Sequence, residues 1–70
     1  MRDLPKLQLP DPLLADVRAV SALLGVSVPT VYRMMASDES FPRPRALGRR
    51  MSRWSRSEIA AWIASRPAAR

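Results

Sequence analysis

Five arginines fall between residues 43 and 53, at Arg43, Arg45, Arg49, Arg50 and Arg53. Planar, permanently charged forks at that density suit the gripping of phosphate oxygens and of guanine edges. A second set lies upstream, where Ser27, Val28, Pro29, Thr30, Tyr32 and Arg33 open a helical pattern. There Arg33 can fork onto a guanine, Ser27 at the helix start suits a phosphate, and Tyr32 can bond a phosphate or shield the helix pair. Catalysis has no comparable set of groups. The chain has no histidine and no cysteine, and its six acids are scattered, so neither a paired-carboxylate centre nor a metal site is expected. The expectation is a binding protein, not an enzyme, without a cofactor.

The charge distribution points the same way. The chain carries 12 Lys+Arg against 6 Asp+Glu, a net +6. Residues 41–70 hold eight arginines and a single acid, Glu58, while the first forty residues are at −1. A positive block on one half of a small domain favours a polyanion, because each neutralised phosphate releases condensed counterions. No apolar run approaches the ~20 residues of a membrane span, and the opening MRDLPKLQLPDPLL lacks the pattern of a signal peptide. The expected place is the cytoplasm, with no membrane contact.

The elements that must hold these residues can be read from start and stop signals. Pro5, Pro10 and Pro12 bias the first residues to extended conformations, so residues 1–15 read as a flexible tail. Leu13 and Leu14 are expected to pack on the core edge, the alternative being a docking arm for a neighbouring copy. A helix begins at Asp16, a natural N-cap, and carries Val17, Val20, Leu23 and Leu24 on one stripe until Gly25 stops it. Ser27 caps a second helix from Val28 to about Ala36, with Pro29 tolerated in its first turn and Val31, Met34 and Met35 inward. Ser21 must be small where the two helices cross.

Pro42 and Pro44 then exclude helix. Residues 43–54 read as a β-hairpin with Gly48-Arg49 at the centre of a type II′ turn, pairing Leu47 with Arg50 and Ala46 with Met51. Strand alternation then puts Leu47, Ser52 and Trp54 on one face. Ser55-Arg56-Ser57-Glu58 is a capping box that starts a last helix, whose stripe is Ile59, Trp62, Ile63 and Arg66 before Pro67. Both tryptophans are read as core and not as base-stacking platforms. The fold class is mainly α with a small β-hairpin, a winged helix-turn-helix in the order helix, helix, hairpin, helix. The domain spans residues 16–66, and 67–70 form a frayed end.

The run GVSVPTVYRMM, then FPRPRALGRRMSRW, then SEIAAWIASR, resembles the AlpA-type prophage regulators and the related phage excisionases, which share a MerR-like winged helix. The resemblance covers residues 17–66. It implies that Val28–Ala36 is the recognition helix, with Thr30, Tyr32 and Arg33 toward double-stranded DNA, and that Arg49, Arg50 and Arg53 are wing contacts. Ser52 departs from it, standing where such wings often carry an apolar residue.

Excisionases of this kind bind side by side near an attachment site and bend DNA to steer an integrase; AlpA-type relatives act at promoters. A single module makes a small DNA interface, about 600–1,000 Å², so further copies of the chain along the DNA are expected as partners, and a phage integrase with them. The excisionase reading is preferred. The contrary class is a protein-interaction adaptor that would use the leucine-bearing tail with Met34 and Met35 and be indifferent to salt.

Overall fold

The computed structural model describes residues 13–69. Helix α1 (Val17–Leu24) starts where a carboxylate serves it, since Asp16 accepts the Ala19 amide at 2.8 Å and satisfies a donor that every helix start leaves unpaired. It ends at Gly25, whose φ of 72° is left-handed and carries no Cβ penalty for glycine. The amides of Gly25 and Val26 turn back onto the Ala22 and Ser21 carbonyls at 3.3 and 3.0 Å. Ser27 then caps helix α2 (Val28–Ser37), accepting the Thr30 amide at 3.3 Å, with Pro29 in the first turn. The chain turns through 88° between the two helices, close to the crossing of a helix-turn-helix.

Asp38 and Ser40 make the next turn, in which the Phe41 amide reaches the Asp38 carbonyl at 3.1 Å. Strands β2 (Arg45–Gly48) and β3 (Met51–Ser55) form the expected hairpin, but its register differs from the sequence reading. Arg45 pairs with Arg53, Ala46 with Ser52, and Gly48 with Met51, which leaves Leu47 as a one-residue bulge. The turn is therefore Arg49-Arg50, with Arg50 at φ 60°, and Gly48 does not take positive φ. The reason is geometric. Continued without interruption, the base register would pair residue 48 with residue 50 across a single residue, too tight to close, and extruding Leu47 restores a two-residue loop. Leu47 and Ser52 are consequently exposed, and only Trp54 of the expected inner face is buried.

A third strand, β1 (Leu14–Ala15), pairs antiparallel with β3, so the sheet order is β1-β3-β2 and β3 is central. Its register sets Ala15 opposite Trp54 and Leu14 opposite Ser55. A two-residue strand has one inward position, and here it belongs to Ala15, 4% exposed. Leu13 and Leu14, at 74% and 37%, do not pack on the core edge as expected. The docking-arm alternative rests on the leucines of residues 1–15, of which Leu4 and Leu7 lie outside the described residues.

Helix α3 (Arg56–Ala64) begins as the capping box predicts on one side only. Ser55 accepts the Glu58 amide at 3.3 Å, while the Glu58 carboxylate is drawn to Arg45 of β2. The Arg56 amide is satisfied by the Leu13 carbonyl at 2.9 Å, so the β1 segment also stitches the start of α3. The helix ends at Ala64, before the expected Arg66, and Ser65 and Arg66 close it in a tighter turn onto Trp62 and Ile63 carbonyls at 3.1 Å.

Ala15, Val20, Val31, Phe41, Trp54 and Ile59 form the core, and Val17, Leu24, Val26, Met34, Met35 and Trp62 pack around it. Both halves of the domain thus contribute to one apolar cluster, each large member of which is worth about 1.5–3 kcal/mol of burial. Trp54 is core, as expected, and its indole N–H donates to the Pro42 carbonyl at 2.9 Å. Trp62 is not: it is half-buried, edge-on to Phe41 with centroids 5.0 Å apart, and donates to Ser40 Oγ at 3.1 Å. Leu23 and Ile63 are 44% exposed, because at about 100° per residue each lies at the margin of its helix stripe. Phe41, 1% exposed, is a core residue that the sequence marks only as the start of a proline-flanked, non-helical stretch.

Candidate nucleic-acid interface

The N-terminal turn of α2 has its amides held by a local pair. Ser27 Oγ and Thr30 Oγ1 lie 2.9 Å apart and share a hydrogen bond, and Ser27 Oγ also takes the Thr30 amide. Ser27 and Thr30 are thus committed first to the helix start, which stiffens the surface that Pro29, Tyr32, Arg33 and Ala36 present. These four are exposed, Tyr32 at 48%, and Val28 is half-buried behind them. The Arg33 carbonyl accepts the Ser37 hydroxyl at 2.9 Å, and its guanidinium has no hydrogen-bond or ion-pair partner among the described residues.

Tyr32 meets the hairpin across a cleft of about 370 Å³, lined by Asp16, Val17, Tyr32, Pro44, Arg50, Ser52, Arg53 and Trp54. This concavity joins one residue of α2 to two arginines that are distant in sequence. Arg53 is half-buried and donates to the Ser52 carbonyl at 2.8 Å, which draws its guanidinium along the ribbon. Arg49 and Arg50 occupy the turn and are exposed. A non-glycine residue at positive φ is uncommon and strained, and Arg50 holds that conformation at the point of greatest reach.

The other two arginines of the set face a different groove, of about 650 Å³, whose walls include Arg43, Arg45, Glu58 and Trp62. Arg43 donates to the Met35 carbonyl at 2.6 Å, serving an acceptor near the C-terminal end of α2, a favourable place for a cation. Arg45 pairs with Glu58 of α3. Both arginines brace the hairpin from behind, and the five positions divide into two braces, one strand contact and two at the tip. Nothing in the spacing of the arginines separated these roles; the partner residues that decide them are 8 and 13 positions away.

Beside the second groove Arg66 lies 4.7 Å over the Trp62 ring and 3.5 Å from the Asp38 carboxylate. The Asp38 carboxyl is held below its ordinary value chiefly by the Ser40 hydroxyl at 2.7 Å and the Ser40 amide at 2.8 Å, with Arg66 and Arg43 adding to the effect. Among the described residues no cluster of His, Cys, Asp or Glu could hold a metal ion. No single helix there is long and apolar enough to cross a membrane.

The family model described as prophage CP4-57 regulatory protein (AlpA) matches residues 15–67. No curated protein and no solved structure matches the chain.

Proposed function

The chain belongs to the AlpA family of prophage regulatory proteins, and on that premise we propose that it is an excisionase, a DNA-bending accessory factor of an integrated phage element. The family itself is one of phage-related DNA-binding regulators, not of enzymes. In this reading α2 enters the major groove with Tyr32 and Arg33 toward the bases and with Ser27, Val28, Pro29 and Thr30 forming the entry. Arg49, Arg50 and Arg53 grip the adjacent backbone and minor groove, and Arg43 and Arg45 keep the wing at the angle that makes both contacts simultaneous.

The observation that carries the proposal is the shared cleft of Tyr32, Arg50 and Arg53. Tyr32 of α2 and Arg50 and Arg53 of the wing line one concavity, which supports a reading in which a duplex touches both elements at once. The small interface of a single module favours several copies side by side, and exposed Leu13, Leu23 and Ile63 offer apolar contacts between neighbours. Cooperative binding in the cytoplasm of the host cell would then assemble the bent DNA that an integrase uses.

A gel-shift titration tests this, using DNA from the element's own attachment site, its promoter DNA and an unrelated duplex at two salt concentrations. Stepwise, cooperative, salt-sensitive shifts on the attachment DNA are expected. Confinement of binding to the promoter would favour the second reading, a transcription regulator, which the family's description as regulatory supports. Absence of salt-sensitive binding would overturn both and leave the protein-interaction adaptor.

A further inference from the structure

Two large apolar side chains stand in the open at the far end of the wing. Leu47 is 51% exposed and Met51 45% exposed, and they flank the Arg49-Arg50 turn on either strand. Neither contributes to the buried core. Their placement follows from the bulge: extrusion of Leu47 sets Gly48 opposite Met51, so Met51 has no side chain across from it, and the space around Gly48 is open, with nothing within 4 Å of where a Cβ would stand. The tip consequently carries two exposed apolar side chains beside a cationic turn.

Single exposed apolar side chains are ordinary; what distinguishes Leu47 and Met51 is that they flank a turn made of two arginines. Two arginines at the turn, one held at a strained φ of 60°, and a third at Arg53 would repel a basic neighbour and attract a phosphate-lined groove. A second copy offering its own wing would bring like charges together. Minor-groove binders combine cations with leucine or methionine wedges that part a base step and kink the duplex by about 20–90°.

Resting on the DNA-binding reading above, we propose that Leu47 and Met51 form an apolar wedge that enters the minor groove and bends the DNA, while Arg49 and Arg50 fasten the phosphates on either side. The wing is then the bending device and not only an electrostatic clamp. Kinking is easiest at TA and CA/TG steps, so the wedge also selects a flexible step at a position that no hydrogen bond reads.

The test uses the full chain and the tightest duplex recovered from a random pool, shortened until it binds one copy and end-labelled for energy transfer. The wild-type protein is expected to bring the duplex ends together. A Leu47→Ser/Met51→Ser variant should bind about tenfold more weakly with the salt slope unchanged, as expected when contacts other than phosphate contacts are lost. Its bend should be largely lost, with affinity recovered on a duplex carrying a mismatch at the flexible step. Met51→Leu should retain the bend.

An unaltered bend and affinity in the double variant would overturn the wedge. So would a variant that bends single sites normally but loses cooperativity on tandem sites, since the two side chains would then join neighbouring copies. If the wild-type protein shows no salt-sensitive binding to any duplex, the DNA-binding reading itself has failed, an outcome distinct from loss of bending alone.

Discussion

The helix-turn-helix and the wing are two solutions to holding a surface still. In the first, α1 and α2 are fixed by neighbours in sequence: Asp16, Gly25 and Ser27 each act within a few residues, and the reading face follows from helical periodicity. In the second, the contacts that set its position on the domain are remote. The wing stands where it does because Trp54 reaches Pro42, Arg43 reaches Met35, and Arg45 reaches Glu58. Helix α2 is therefore locally stiff with few charges, and the wing is charge-rich and braced from outside itself. Sequence preference is expected from the first and affinity from the second.

Substitution of Trp54 makes the largest test of whether these regions are separable. Trp54→Ala removes a side chain that is 2% exposed and should destabilise the domain by about 3–5 kcal/mol. Urea denaturation followed by circular dichroism is expected to show one transition shifted as a whole, because both halves share the core. A residual helical transition at the original midpoint would mean that the helix pair folds alone.

The functional division is sharpened by Arg33→Ala against Arg49→Ala. Loss of Arg33 should remove about 1–3 kcal/mol of base discrimination, seen as relaxed sequence choice in a competition assay. Loss of Arg49 should weaken all duplexes alike and reduce the salt slope by about one. Equal loss of discrimination in both variants would break the distinction.

Two left-handed residues compare the regions at their turns. Gly25→Ala places a Cβ at φ 72° and meets no atom within 4 Å, so its cost of about 1–2 kcal/mol is conformational. Arg50→Gly relieves that strain while raising unfolded-state entropy, and should leave stability unchanged or higher by up to about 1 kcal/mol while weakening DNA binding. Opposite signs for stability and binding are expected only at the wing.

The smallest effect is the pH response of the turn between the regions. The Asp38 carboxyl is depressed in the folded protein, above all by Ser40, so its contribution is present above the ordinary carboxylate range. That contribution is lost as pH falls through the folded value. The melting temperatures of wild-type protein and Asp38→Asn should differ slightly at neutral pH and converge below about pH 4.

What was legible in the sequence follows the same divide. The caps at Asp16, Ser27 and Ser55, the stop at Gly25 and the burial of Val20, Val31, Trp54 and Ile59 are consequences of local spacing, and they are as read. The wing misled at its turn because glycine at 48 is the usual choice for a two-residue loop, whereas the base register of the hairpin decided where the loop falls. Ala15 displaced Leu13 and Leu14 from the core edge because a tryptophan opposite leaves room for a small side chain. The reciprocal half of the capping box failed because Glu58 had a distant cation available. Phe41 was hidden in a proline-flanked segment with no period to mark it as inward.

Seen as mechanics, the central strand makes the wing a cantilever. Its clamp lies at Ala15 and Trp54, beside the first residues of both α1 and α3, and its free end is the Arg49-Arg50 turn. Load applied at the tip is borne at the two helix starts and at the C-terminal end of α2, where Arg43 meets the Met35 carbonyl. Beam length is then adjustable apart from the foundation: adding one residue to each strand beyond Arg45 and Arg53 would carry the tip outward by about 3.4 Å, and two would restore the facing of every side chain.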